Sequence, residues 1–319
     1  MQQVKSLWLV ALLACVFTAS THGQIVGSAD GYYKEGVKQM DAGRFAQAVE
    51  SLRASVRLKP DSPLAHNDLG YSYHQLGQYE NAVLAYTEAI RLKQDYALAY
   101  NNLGMAYQKL GSFERAIESF KQALKIQPRY RTAQRNLGAA YYKNNQTTEA
   151  IEALEQAVRL NPSDPGALND LGCALMDAGR YQLAAETLLQ AANLQPTFAA
   201  AHRNLGLANY KQGRVREAVT SYRRALALKP DDAEVYNNLG VAYNDLRSLP
   251  QAISAYEEAI RLRPGYGEAR YNLGLALLAH DRKEGALEQY AALKRLDAQQ
   301  AKALFNAIFG GQVIHAGGK

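Results

Sequence analysis

The sequence predicts an all-α protein, an α-solenoid in which pairs of helices recur every 34 residues. Glycine recurs at that interval, at Gly36, Gly70, Gly104, Gly138, Gly172, Gly206, Gly240 and Gly274. Alanine stands twelve residues after each of these glycines, from Ala48 to Ala286. Apolar residues follow the spacing of an amphipathic helix on both sides of a short turn in each interval, as in residues 97–130. These regularities predict eight helix-turn-helix units.

The N-terminal segment differs from the repeats. Lys5 precedes an apolar run from Leu7 to Ala19, which is too short to span a bilayer and is typical of a secretory signal peptide. We therefore expect a signal peptide over residues 1–22, a linker over 23–28 and an exported protein, periplasmic or secreted. An alternative stays open, because residues 12–15 (LLAC) resemble a bacterial lipobox. In that case Cys15 would be lipidated, and this lipid would be the protein's only attachment to a membrane.

Further marks identify the repeats and their limits. Leucine or isoleucine stands near the end of every unit, and proline closes six of the eight. The predicted units are 29–62, 63–96, 97–130, 131–164, 165–198, 199–232, 233–266 and 267–300. Their order of Leu-Gly, aromatic, Ala, aromatic, Ala and Pro resembles the tetratricopeptide repeat (TPR) family. The resemblance covers nearly the whole chain after the signal, and it implies a right-handed superhelix whose first, or A, helices line a concave groove.

The small residues of each unit have a packing explanation. Gly104 and Ala116 are expected where the A helix crosses the second, or B, helix, because small side chains let two backbones approach closely. Tyr107 and Phe120 are expected to fill the space beside this crossing. Pro128 cannot continue the B helix, so it ends the unit.

The departures from the pattern also carry predictions. The turn between A and B helices has glycine in five units but Asn145, Arg247 and Asp281 in the others, and Arg247 suggests a turn of different shape. The helical pattern of the last unit continues to Phe309. We therefore predict a C-terminal capping helix, with residues 301–319 forming its end and a flexible tail.

The sequence contains no recognisable catalytic or metal-binding motif, so we predict a non-enzymatic protein without cofactor or metal. A composition with 48% hydrophobic and 21% charged residues suits a folded soluble protein. Cys173 and the equivalent His66 and His202 are interpreted as packing residues. The net charge of +6 permits an acidic partner, but many basic residues stand at the ends of B helices, where they complement the helix dipole. Nucleic-acid binding is therefore not predicted.

One face of the A helices is the candidate site. Numbered from the first residue of each unit, positions 2, 5, 6, 9, 12 and 13 share this face, which we call the A-helix face. Positions 5 and 6 supply the candidate peptide-binding residues Asn67, Asn101, Asn102, Arg135, Asn136, Asn169, Arg203, Asn204, Asn237, Asn238 and Asn272. A carboxamide can pair with both the C=O and the N–H of an extended peptide. The run is similar to the asparagine ladder of the repeat region of O-GlcNAc transferase, without the catalytic domain. The same asparagines could instead connect neighbouring helices.

These observations predict a scaffold that binds an extended polypeptide in the concave groove. Because basic and acidic units alternate along that groove after residue 130, we expect a partner of mixed charge. Two alternatives remain: an accessory subunit that presents substrates to a separate glycosyltransferase or envelope-assembly machine, and a structural oligomer. The sequence does not decide the oligomeric state.

Overall fold

The computed structural model describes residues 27–310, and within that range the chain forms 17 helices and no strand. The predicted all-α class is therefore confirmed. The predicted signal peptide, Cys15 and the end of the tail lie outside the described residues. In chain order the helices are α1 (Ala29–Asp41), α2 (Phe45–Leu58), α3 (Pro63–Gln75), α4 (Tyr79–Leu92), α5 (Ala97–Lys109), α6 (Phe113–Ile126), α7 (Arg131–Lys143), α8 (Thr147–Leu160), α9 (Pro165–Asp177), α10 (Tyr181–Leu194), α11 (Ala199–Lys211), α12 (Val215–Leu228), α13 (Ala233–Asp245), α14 (Leu249–Leu262), α15 (Gly267–Ala279), α16 (Lys283–Leu296) and α17 (Ala298–Phe309).

The turn between the A and B helices has one shape in all eight repeats. Its central residue lies in the left-handed region, with φ between 70° and 76° at the five glycines. Arg247 adopts the same conformation at φ 57°, as do Asn145 at 59° and Asp281 at 56°. The expectation of a differently shaped turn at Arg247 was therefore wrong. The packing of the two helices imposes the backbone conformation there, although a left-handed arginine is disfavoured.

The glycine on each A helix makes room for one large side chain of the B helix. A Cβ atom added to Gly104 would lie 2.6 Å from Cε1 of Phe120, whose ring is fully buried. The same relation joins Gly70 to Tyr86 and Gly138 to Leu154. The close approach predicted at this crossing therefore accommodates a buried B-helix side chain.

The chain divides into two compact units, the first ending at Leu160 and the second beginning at Asn161. The first unit holds repeats 1 to 4, and the second holds repeats 5 to 8 with α17. Within each unit every helix packs against the next along the chain, and each A helix also contacts the A helix of the following repeat. Consecutive B helices among the described residues make no such contact. Each unit is therefore a stack that curves with its A helices on the inner side.

The last repeat is completed by α17, which confirms the predicted capping helix. In repeat 7 the added Cβ of Gly240 would meet Tyr256 of the same repeat, but in repeat 8 the added Cβ of Gly274 would meet Leu304 of α17 at 2.6 Å. Leu304 is fully buried. Asp297 caps the helix, since its side chain accepts hydrogen bonds from the first backbone N–H groups.

Candidate functional site

The A-helix face lies on the inner, curved side of each unit. Its floor is formed by hydrogen bonds between neighbouring A helices, each joining position 5 of one repeat to position 6 of the next. We call each of these bonds a rung. The two residues are 35 apart in sequence. Within each unit, a rung crosses the repeat boundaries at which the side chains at positions 5 and 6 form a donor and acceptor pair.

The first unit contains three rungs. Asn102 Nδ2 donates to Asn67 Oδ1 at 3.1 Å, and Asn136 Nδ2 donates to Asn101 Oδ1 at 3.0 Å. The first boundary uses a different pair, because there Tyr33 Oη donates to Asp68 Oδ2 at 2.8 Å. Sequence reasoning did not find this pair, although the separation of 35 residues is the same.

Asp68 is the one carboxylate on the A helices of repeats 2 to 4. Its surroundings act on its pKa in two opposite ways. Burial raises its pKa above the ordinary value, while hydrogen bonds from Tyr33 and Asn67 act in the opposite direction. Burial and the neighbouring carboxylate raise the pKa of Tyr33, so its hydroxyl stays protonated and donates. The pair therefore replaces an asparagine rung at the end of the stack.

The second unit has two rungs and one gap. Asn204 Nδ2 donates to Asn169 Oδ1 at 2.9 Å, and Asn272 Nδ2 donates to Asn237 Oδ1 at 3.1 Å. Arg203 occupies position 5 at the boundary between these rungs. No hydrogen bond joins it to Asn238 in the part of the chain that the structure describes. The guanidinium instead donates to Asn204 Oδ1 at 3.3 Å and lies 3.8 Å from the Asp232 carboxylate.

The two positions of a rung differ in how deeply their side chains are buried. At position 5, Asn67 and Asn101 are each 3% exposed and Asn237 is 1% exposed. Most position 6 residues are half-buried, including Asn102, Asn136, Asn238 and Asn272, although Asn204 is buried. Among the remaining predicted residues, Arg135, Asn169 and Arg203 are half-buried. The structure thus assigns the position 5 asparagines a role in joining repeats, and peptide contact by any member of the set stays a prediction.

The exposed part of the A-helix face in the first unit is formed by positions 2, 9 and 13. Leu64 and Leu98, at position 2, are 54% and 43% exposed, and Tyr71, at position 9, is 39% exposed. The ring of Phe45 contacts Tyr71 edge-on, with a centroid distance of 6.1 Å. Lys109 is the exposed position 13 residue of repeat 3. These side chains rise above the rungs and are accessible to a partner.

His74, at position 12 of the A-helix face in repeat 2, lies beside this surface. Its Nε2 atom is buried without a hydrogen-bond partner, and its ring contacts the ring of Tyr79 at 5.2 Å. Burial, with a smaller contribution from the positive charge of Lys109, lowers the pKa of His74 below its ordinary value. The histidine therefore stays neutral where a free imidazole would begin to protonate.

The two equivalent histidines perform a structural task. His66 Nε2 is 3.0 Å from the carbonyl of Pro60, and His202 Nε2 is 3.1 Å from the carbonyl of Pro196. In repeat 8, the Arg270 guanidinium donates to the equivalent carbonyl at 2.9 Å. These contacts tie the start of an A helix to the preceding loop.

The range of residues 27–310 contains no group of three or more His, Cys, Asp and Glu side chains placed to hold a metal ion. None of its helices is both long enough and apolar enough to cross a bilayer. A cavity of about 100 Å³ beside Arg203 and Asp232 is lined mainly by alanine and aliphatic groups. It is much smaller than the usual small-molecule pocket of several hundred Å³, whereas an open hollow of about 640 Å³ lies beside Tyr181, Gln212 and Arg214.

The comparisons with known proteins agree with this architecture. Models described as tetratricopeptide repeat match residues 101–165 and 233–266, and a model described as TPR repeat matches residues 39–77, 70–111, 172–213 and 210–246. No curated protein matches the chain. The closer resemblance to O-GlcNAc transferase stays a prediction.

Solved structures show the same fold. YrrB, described as a TPR protein with an unusual peptide-binding site, is 24% identical with a TM-score of 0.51, over 59% of this chain and 96% of its own. PilF of Pseudomonas aeruginosa is 22% identical with a TM-score of 0.59, over 66% of this chain and 96% of its own. MamA of Desulfovibrio magneticus RS-1 is 26% identical with a TM-score of 0.50, over 53% of this chain and 96% of its own. With family models matching most of the region from residue 39 to 266, the chain belongs to the tetratricopeptide repeat family.

Proposed function

We propose that this protein is an exported, non-enzymatic scaffold that binds an extended segment of a partner polypeptide on its A-helix face. TPR proteins are protein–protein interaction scaffolds, and the family membership supports that general role. The specific proposal concerns the surface used, the form of the ligand and the compartment.

One observation carries the proposal. The inner face of the first unit exposes Leu64, Tyr71 and Leu98, while the asparagines beneath them are engaged in rungs. Large apolar side chains grouped on a concave surface are a common mark of a protein-binding site. A surface whose floor is fixed by hydrogen bonds also loses little conformational freedom on binding, which favours affinity.

The position 6 asparagines have hydrogen-bonding groups that the rungs do not use and that a ligand can bind. Asn136 uses one N–H of its amide in a rung, and its second N–H and its carbonyl oxygen are left for other partners. Asn238 has no rung, so its whole carboxamide is available on a half-buried site. We propose that these groups pair with the backbone of the bound segment, while the buried Asn67, Asn101 and Asn237 hold the A helices in register.

Site-specific photo-crosslinking tests the surface. A photoreactive phenylalanine analogue placed at Leu98 should capture a partner in the native compartment, and the same analogue at Leu84 is the matched control. Leu84 is an exposed leucine of the B helix in the neighbouring repeat, away from the A-helix face. Capture of the same protein with equal yield from both positions, or from Leu84 alone, would exclude the proposed surface.

The proposed export rests on the signal-like segment over residues 1–22. N-terminal sequencing and intact mass of the mature protein distinguish simple cleavage from lipidation at Cys15. Retention of the intact segment in a cytoplasmic fraction would contradict export. The alternative function, an accessory subunit that presents substrates to a separate enzyme, predicts that the crosslinked partner copurifies with a glycosyltransferase or envelope-assembly activity.

A further inference from the structure

We propose that the A-helix face of the first unit selects an extended segment in which apolar and acidic side chains alternate. This inference rests on the proposed function, because it specifies the chemistry of the ligand for the same face. It depends on two rows of side chains at opposite ends of the A helices in repeats 2 to 4.

The apolar row lies toward the N-terminal ends of these helices. Leu64 and Leu98 occupy the second position of consecutive A helices and form this row, whereas Tyr71 and Met105 stand seven residues later, beyond the rungs and nearer the opposite ends of the helices. The two leucines and the tyrosine are exposed, and Met105 is half-buried. Apolar side chains of a ligand would cover this row and remove it from water.

The basic row lies at the opposite ends of the helices. Lys109 and Lys143 are the last residues of α5 and α7, and both are exposed. Neither ammonium group pairs with a carboxylate among residues 27–310. The nearest described partner of the Lys143 ammonium is the ring of Tyr142, at 5.9 Å from its centroid. The lysines therefore present uncompensated positive charge to the face.

No exposed carboxylate of the A helices in repeats 2 to 4 lies in this row. Asp68 is the single carboxylate on the A helices of repeats 2 to 4, and it accepts hydrogen bonds from Tyr33 and Asn67. The A helices of these repeats therefore contribute a positive edge and no exposed negative one, although Glu114 and Glu149 stand in the first turns of the B helices that follow the two lysines. A ligand with carboxylates at that edge gains charge complementarity, and a ligand with lysines there is repelled.

The width of the face determines the pattern of the ligand. Positions 2 and 13 are separated by eleven residues of helix, which corresponds to about 16 Å at the rise of an α-helix. One side chain cannot reach both rows. In an extended backbone successive side chains point to opposite sides. A segment lying over the rungs would therefore direct alternate residues to the leucines and to the lysines.

The probe for a test is a short fluorescein-labelled peptide in which leucine and glutamate alternate, and its binding to the full mature protein is followed by fluorescence anisotropy. A peptide with lysine in place of glutamate tests the charge, and one with serine in place of leucine tests the apolar row. We expect the leucine–glutamate peptide to bind at least about tenfold more tightly than either control. The preference over the lysine peptide should diminish as salt is added.

Variants assign the effect to the two rows. The double substitution Lys109→Glu with Lys143→Glu and the double substitution Leu64→Ser with Leu98→Ser should each abolish the preference. Leu84→Ser on the outer B helix is the control that should leave it unchanged. Because all these side chains are exposed, circular dichroism should show folded proteins.

The outcomes separate this inference from the proposed function. Equal affinity for the glutamate and lysine peptides would overturn the charge pattern. Undiminished binding of the glutamate peptide by the Lys109→Glu and Lys143→Glu double variant would overturn it as well. If a partner is captured through Leu98 but its crosslinked segment lacks acidic residues, the scaffold function stands and this inference fails. The inference is also wrong if an oligonucleotide competes with the leucine–glutamate peptide while the Leu64→Ser and Leu98→Ser double variant still binds that peptide normally. The face would then bind polyanions.

Discussion

The rung between Asn101 and Asn136 offers a sharp test of what the asparagines do. We expect Asn136→Ala to destabilise the boundary between repeats 3 and 4, because it removes the donor to the Asn101 carbonyl. That carbonyl belongs to a side chain that is 3% exposed, so water cannot easily replace the lost bond. Asn238→Ala is the matched control, since Asn238 has the same repeat position and the same half-buried environment but no rung.

The magnitude follows from these contacts. Leaving a buried acceptor without its donor costs about 1–3 kcal/mol. A polar substitution without such a partner changes stability by about 0.5 kcal/mol or less. Any gain from the better helix propensity of alanine is common to both variants and cancels in the comparison. The difference in destabilisation between Asn136→Ala and Asn238→Ala should therefore be about 1–3 kcal/mol.

Hydrogen exchange measured by mass spectrometry is the appropriate assay, because repeat arrays do not always unfold in one step and a single unfolding midpoint can conceal a local effect. Amides of α5 and α7 should exchange faster in Asn136→Ala, whereas those of α11 and α13 should be little affected in Asn238→Ala. Urea unfolding followed by circular dichroism gives the accompanying global value. Equal effects of the two substitutions would refute the rung as the reason for an asparagine at position 6.

Three further predictions concern other features. Arg247→Gly should stabilise the protein by about 0.5–1 kcal/mol in urea unfolding, because it removes an arginine from a left-handed conformation at the cost of glycine's greater unfolded-state entropy. A loss of stability would show that the contacts of the arginine side chain outweigh this relief. Lys109→Gln should raise the pKa of His74, measured by NMR titration, but not to its ordinary value, because burial is the larger cause of the lowering. An unchanged pKa of His74 in the Lys109→Gln variant would exclude the influence of Lys109. Since the folded-state pKa of His74 is depressed, the contribution of this histidine to stability should fall as the pH drops below about 6.5 toward that lowered pKa. Leu304→Ala should cost about 2–5 kcal/mol in urea unfolding, because it empties a fully buried site over Gly274, and a loss below about 1 kcal/mol would show that α17 adds little to the last repeat.

The sequence predicted the all-α class and the capping helix because these depend on periodicity, and periodicity is local information. It placed Gly104 and Ala116 at the helix crossing, with Phe120 beside them, for the same reason. It did not predict that Asn67 and Asn101 are buried, because their environment is created by the A helix of the following repeat. Helical spacing shows which residues share a face, but it does not show which part of that face a neighbouring helix covers.

Two other features could not be predicted for related reasons. The left-handed conformation of Arg247 is set by the packing of α13 and α14, against the residue's own preference. The replacement of a B-helix side chain by Leu304 over Gly274 depends on how α17 returns to the last repeat. In both cases tertiary packing overrides a rule drawn from one short segment.

Because the two members of a rung are always 35 residues apart, a repeat can be copied within the stack and still form rungs with its neighbours. A repeat such as 97–130 supplies the acceptor of one rung through Asn101 and the donor of another through Asn102. A second copy of this segment inserted after Tyr130 would therefore join both neighbours through the bonds that are already used. A copy of a repeat with arginine at position 5, such as Arg203, would lengthen the stack but leave one junction without a rung. Units that carry both asparagines can thus extend the array in length without redesign.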